Sequence, residues 1–230
     1  LARHACVALQ RCVASRPMDR KATQATLNGV DDILILPPPA AQGALWFAAA
    51  EQAINTVFAV SDAPEEACTQ LLHRMAVACL GAEEAPQVGA EGLSRFLFAL
   101  GHVAIKLLVH IEACEKTLAR RRQALNEKAE EAPAPAVASK GASKGGRKKK
   151  AAEEPETPAD DEDALDKELG AAAEAAEADS DALLAMGERL LQPTALLGAW
   201  APLVSDVCAN VDGHFAPGVR ASAELTLCKL

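Results

Sequence analysis

Residues 93 to 118, LSRFLFALGHVAIKLLVHIEACEKTL, carry apolar side chains around most of a helical circumference, and that run limits the folds open to the chain. Phe96, Leu97, Leu100, Val103, Ala104, Leu107, Leu108, Ile111 and Leu118 recur at helical spacing, with Phe98, Ile105 and Val109 alongside. Such a helix needs neighbours on both flanks. Its polar positions, Arg95, His102, Lys106 and His110, are spaced by seven, four and four and draw one narrow basic line along the cylinder. That line is expected at the solvent edge, where it is a candidate phosphate-contacting stripe. Lys106 and the two histidines interrupt the run, so no unbroken apolar window of about 18 residues remains and no membrane span is expected. Arg120, Arg121 and Arg122 are expected to close the helix at the negative end of its dipole.

Composition narrows the choice further. Half of the 230 residues are apolar but only 3% are aromatic, and tyrosine is absent. Thin Ala- and Leu-rich cores suit stacked helices rather than sandwiches or barrels, and the expected class is all-α. The net charge of −9 is unevenly placed: between Glu153 and Asp181 thirteen acidic residues face one base, Lys167, so the remainder of the chain is mildly basic at +3. Seven scattered cysteines without a CxxC pair read as small core residues of a reducing compartment. His102 and His110 lie eight apart rather than four, which gives no zinc spacing, and no metal or cofactor site is expected.

The order of elements follows from pattern and punctuation. Residues 2 to 15 form an amphipathic helix ended by Arg16-Pro17. The passage with Asn28-Gly29, Asp31-Asp32 and Ile33-Leu34-Ile35-Leu36 before three prolines reads as an extended connector pressed into a helical core, with a buried strand as the other reading. Gly43 to Val60 is a helix with Trp46, Ala50, Ala53, Ile54, Val57 and Phe58 inward. Ser61 or Asp62 is expected to cap the next, Glu65 to Leu80, which buries Cys68, Leu71, Leu72, Met75 and Cys79. Two such helices on a short turn are the unit of an α-solenoid. Residues 126 to 161 combine alternating Pro and Ala, SKGASKGGRKKK and then acids, and are expected to be disordered. From residue 162 a solvated Ala/Glu helix is expected, then a second capped by Asp179-Ser180-Asp181, then one from Pro193-Thr194 that Pro202 kinks or divides, and a last one with Val219, Ala223, Leu225 or Leu227, and Leu230 inward. The organisation is therefore a helical segment over 1–125, an insertion over 126–161 and a second helical segment over 162–230. Leu1 and Leu230 both fall inside amphipathic patterns, as expected for a stretch of a longer protein.

Within the insertion, Gly141-Ala142-Ser143-Lys144-Gly145-Gly146-Arg147 lacks the closing Gly-Lys-Ser/Thr of a phosphate loop and its flanking strand and helix. No nucleophile, base and orienting group can be assembled by spacing, so no enzyme activity and no small-molecule substrate are expected. Arg147, Lys148, Lys149 and Lys150 are candidates for DNA-backbone contact or nuclear localisation, against a plain solvated charge run. Thr157-Pro158 is the single Ser/Thr-Pro pair of the chain, which makes Thr157 a candidate for proline-directed phosphorylation.

The segments LWFAAAEQAINTVF (45 to 58), CTQLLHRM (68 to 75), RFLFALGHVAIKLLVHIE (95 to 112) and ASAELTLCKL (221 to 230) together resemble the large HEAT-repeat regulatory subunits of condensin. In that family the corresponding long helix precedes a charged, variable insertion, and an acidic Glu-Leu-Gly element, here Glu168-Leu169-Gly170, leads back to helices. The resemblance implies a HEAT-like solenoid of antiparallel helix pairs interrupted by the insertion. It also implies a non-catalytic scaffold that binds a kleisin subunit, works with SMC ATPase subunits, and holds duplex DNA without sequence specificity in mitotic chromosome condensation. Its expected place is the nucleus and mitotic chromosomes, with cytoplasm in interphase. The rival reading from the residues is a protein-only adaptor solenoid of the nuclear-transport or vesicle-coat kind, with the insertion as a regulatory tail.

Overall fold

The computed structural model describes residues 1–16, 18–38, 43–81, 89–131 and 160–230. Among them every regular element is helical: α1 (Ala2–Ser15), α2 (Arg20–Ile35), α3 (Gly43–Val60), α4 (Pro64–Leu80), α5 (Ala90–Glu131), α6 (Asp160–Leu190), α7 (Ala201–Ala209) and α8 (Pro217–Leu227), with a 3₁₀ turn at Gly198–Trp200 before α7. The all-α, HEAT-like reading holds: α3 and α4 form a helical hairpin on the three-residue turn 61 to 63, and α7 packs on α8. The chain divides into one compact unit made of residues 1–112 and 185–230 and a second of residues 113–184.

Several local expectations are corrected. The Ile33-Leu34-Ile35-Leu36 run is neither strand nor extended connector; its first three residues are the last turn of α2. Asp19 starts that helix by accepting from the Ala22 amide at 2.7 Å, and Asn28 and Gly29 fall on its exposed side. There a poor helix former costs only about 1 kcal/mol, which burial of Val30 and Leu34 offsets. The cap expected from Ser61 or Asp62 is also absent: Ala63 is the N-cap of α4, with no side-chain bond, while Ser61 Oγ accepts from the Ala63 amide at 3.2 Å. Asp179-Ser180-Asp181 does not open a new helix but lies inside the unbroken α6. Pro202 stands in the first turn of α7, where its missing N–H costs nothing, so the expected division takes the form of a turn followed by a fresh helix. Asn210 ends α7 in the left-handed conformation, φ 42°, and its side chain exchanges two hydrogen bonds with Phe215 to close the loop into α8.

The core of the first unit gathers around the N-terminal half of α5. Leu93, Phe96, Leu97, Ala99, Leu100, Val103, Ala104 and Leu107 are all buried. Ring contacts reach this part of α5 from two elements: Trp46 and Phe47 of α3 stack edge-on with Phe98, and Trp200 meets Phe96 at 4.9 Å between ring centres. Two glycines permit close helix approach. A Cβ on Gly92 would stand 2.8 Å from the Cys79 carbonyl of α4, and one on Gly101 would stand 3.0 Å from the Lys229 stem and 3.3 Å from Thr226 Oγ1. The Thr226 hydroxyl donates to the Leu97 carbonyl at 2.9 Å, so α8 lies directly against α5.

By length and composition α5 could cross a bilayer, since residues 90 to 124 include a sufficiently apolar 18-residue window. Its N-terminal turns are, however, covered by α3, α4, α8 and the 3₁₀ turn, as in the core helix of a helical stack, and 44% of that window is buried. The expected partners on its far flank are lacking: Ile105, Leu108 and Val109 are exposed, Leu108 by 60%. Arg120, Arg121 and Arg122 do not close the helix, which runs nine residues further to Glu131. The second unit contains the C-terminal part of α5 and most of α6; along it Cys114, Leu118 and Arg122 are half-buried, and Gln123 bonds Glu127 at 2.9 Å one turn on. The helical limits therefore overrun the expected insertion, 126–161, by six residues at its start and two at its end. Residues 132 to 159 lie outside the described residues.

Candidate nucleic-acid and partner interface

The basic line read along α5 does not survive intact. Arg95 is not on the surface: it is 5% exposed, and its Nη2 donates to the carbonyls of Leu34 (2.8 Å), Ile35 (3.3 Å) and Leu36 (2.9 Å). The physical reason is the C-terminus of α2, which points unpaired carbonyls and the negative end of its dipole at α5. Trp46 completes the cap, donating from Nε1 to the Ile33 carbonyl at 3.0 Å while the Arg95 guanidinium sits 4.7 Å from its ring centre.

The other three members remain accessible, and they turn toward α3. His102 lies parallel to Phe98, with ring centres 6.1 Å apart, and its Nε2 is 3.3 Å from Asn55 Oδ1. Burial lowers its pKa below the usual histidine value, Glu51 opposes this, and Lys106 and Lys229 add to it. Lys106 holds its ammonium 5.7 Å from the Phe58 ring centre, and the His110 ring lies 5.9 Å from the same ring. All three side chains are half-buried.

Sequence reasoning missed a second lysine beside Lys106. Lys229 follows α8, lays its stem across Gly101 and places its ammonium 5.9 Å from the Phe98 ring centre. The signal that could have found it was the pairing of a glycine inside an otherwise apolar helix with a threonine on the inner face of α8, since both mark close helix approach. The expectation that Leu225 or Leu227 faces inward is not met by either, since they are 64% and 46% exposed, and Thr226 takes the buried position.

A second accessible surface lies in the same unit, beside the N-terminal turns of α1 and α3. Leu1, Leu36 and Leu45, all exposed, border a groove of about 450 Å³ with Arg3, His4 and Asp32 at its edge. Among the described residues no group of three or more His, Cys, Asp or Glu could hold a metal. Cys68 is pushed up to about 12 by burial, and Cys79 and Cys6 are raised for the same reason, which makes these thiols inert packing groups. Arg147, Lys148, Lys149, Lys150 and Thr157 lie outside the described residues.

No protein-family model matches the chain. Among curated proteins, it is 29% identical over 197 residues to condensin complex subunit 1 of Xenopus laevis, covering 81% of this chain. It is 26% identical over 246 residues to condensin complex subunit 1 of Saccharomyces cerevisiae, covering all of this chain, and 27% identical over 256 residues to condensin-1 complex subunit CAP-D2 of Arabidopsis thaliana, again covering all of it. The chain is similar to condensin subunit 1. It spans 13%, 19% and 16% of the length of those three relatives. The similarity to the condensin subunits reaches across both helical segments.

Proposed function

We propose that this chain is part of a non-catalytic helical scaffold in a condensin-type complex. In this reading its surfaces bind a kleisin subunit and duplex DNA, without reading sequence, beside SMC ATPase subunits in mitotic chromosome condensation. The observation that carries the reading is the similarity to condensin subunits over 80 to 100% of the chain, joined to a fold built of stacked helices. The exposed leucines around the α1–α3 groove suit a protein partner, and the Lys106 and Lys229 region suits a polyanion. Arg147 to Lys150 would add backbone contacts or nuclear targeting, which agrees with a chromosomal place of work, and phosphate on Thr157 would add negative charge beside Glu153, Glu154 and Glu156. The test is twofold: co-purification of the chain with a kleisin fragment, and a duplex-DNA mobility shift at two salt concentrations. Binding that weakens with salt and is indifferent to base sequence supports the reading. A chain that binds neither is the protein-only adaptor instead.

A further inference from the structure

Lys106 and Lys229 are 123 positions apart, yet both lie within electrostatic reach of His102. Their surroundings are unusual for lysines at a helix–helix seam. Each ammonium is held over an aromatic ring, Phe58 or Phe98, and among the described residues no carboxylate pairs with either. The one acid near His102 is Glu51 of α3, and its Oε1 accepts from Gln52 at 3.3 Å. Ring contacts orient an ammonium without neutralising it, and they reduce the rotamer freedom that a long side chain loses on gripping a ligand. Asn55 and His102 add hydrogen-bonding groups beside them, joined at 3.3 Å.

We infer that Lys106 of α5 and Lys229 beyond α8, with Asn55 and His102 beside them, form one composite site for the phosphodiester backbone of duplex DNA. This assignment rests on the DNA-binding reading above and names the place where it acts. The site exists only when α8 packs on α5, because Lys229 reaches it across Gly101 and the Thr226–Leu97 hydrogen bond fixes that crossing. It is composite in sequence as well: the two lysines flank the whole acidic insertion, so neither helical segment has it alone.

The experiment measures affinity of the whole 230-residue chain for a fluorescent 30-base-pair duplex at several salt concentrations. Three variants are compared with it: Lys106→Gln/Lys229→Gln, Lys106→Arg/Lys229→Arg, and Arg3→Gln/Lys21→Gln as an equal loss of charge elsewhere. Circular dichroism checks that each is folded. Each phosphate contact contributes about 0.9 to the slope of log affinity against log salt, so the glutamine pair should lower the slope by about 1.8. Its deficit relative to the parent should then shrink roughly tenfold between 50 and 200 mM salt. The arginine pair should keep the parental slope, and the Arg3/Lys21 pair should lower it less. A parent that binds while the glutamine pair keeps its slope, or while the Arg3/Lys21 pair loses as much, overturns this site and leaves the DNA-binding reading standing. A parent that binds no duplex overturns both.

Discussion

Replacing Arg95 with methionine tests the central joint of the fold. Methionine keeps an apolar stem against Trp46 but removes the guanidinium that caps α2. Two bonds are short, to Leu34 and Leu36 at 2.8 and 2.9 Å, and the third, to Ile35 at 3.3 Å, is marginal. Hydrogen bonds from a charged donor contribute about 1.5–3 kcal/mol each, so the two short ones represent roughly 3–6 kcal/mol gross. Against this stands relief from burying a cation whose Nε has no partner. The net loss expected is about 2–4 kcal/mol, and Arg95→Lys should fall between, since one ammonium reaches fewer carbonyls than the guanidinium fork. Urea unfolding followed by tryptophan fluorescence and helical dichroism reads the difference, and Trp46 sits at the altered place. Because the acceptors are uncharged peptide carbonyls in buried or part-buried bonds, the gap between parent and methionine variant should largely persist from about 0.05 to about 0.5 M salt, whereas a surface ion pair would fade. A methionine variant within about 0.5 kcal/mol of the parent would refute the capping role, as surface substitutions show differences of that size.

Leu107→Asp should abolish cooperative unfolding, because a carboxylate at a position 1% exposed has no partner to offset its desolvation, while Leu108→Asp on the 60% exposed neighbouring position should leave helicity unchanged. His102 has its pKa lowered in the folded chain, so the unfolded chain binds the extra proton first; stability should fall as pH drops from the ordinary histidine value of 6.5 towards the lowered one, and His102→Gln should flatten that part of the profile. Facing this histidine are Glu51 and Asn55 of α3, Lys106 of α5 and Lys229 beyond α8, so Glu51→Gln should steepen the loss. Maleimide should label exposed Cys12 and Cys228 in the native chain and Cys68 only after unfolding, which mass spectrometry of timed digests can rank.

The sequence made α1, α3 and α4 legible nearly to the residue, because in each a single apolar face is bounded by proline or glycine. Trp46, Ala50, Ala53, Ile54 and Val57 are inward as their spacing implies, as are Cys68, Leu71, Leu72, Met75 and Cys79. Helix α2 was hidden by local punctuation: Asn-Gly and Asp-Asp suggest turns, yet tertiary packing of Val30 and Leu34 and the Arg95 cap outweigh them. The Asp-Ser-Asp triplet 179 to 181 misled in the opposite sense, since the same residues that cap a helix are also tolerated within a solvated one. At the candidate interface, periodicity placed His102, Lys106 and His110 together but counted Arg95 with them. A one-helix projection cannot show that a neighbour's carbonyl end lies opposite position 95, nor that Lys229 arrives from 123 residues beyond Lys106.

The Thr226–Leu97 bond joins two residues 129 apart, across a unit whose own chain is discontinuous. For the ancestry of such a chain this makes the stretch between residues 113 and 184 an insert that can be edited. Where the two ends of a connecting segment are anchored, doubling its length costs only about 0.6 kcal/mol of closure entropy. Changes in the length of that insert therefore carry little closure penalty, while a Cβ at Gly101 would press on the Lys229 stem and on Thr226. Room for change in length thus lies on one side of the fold's bookkeeping and the fixed α5–α8 crossing on the other, so one can vary while the other is kept.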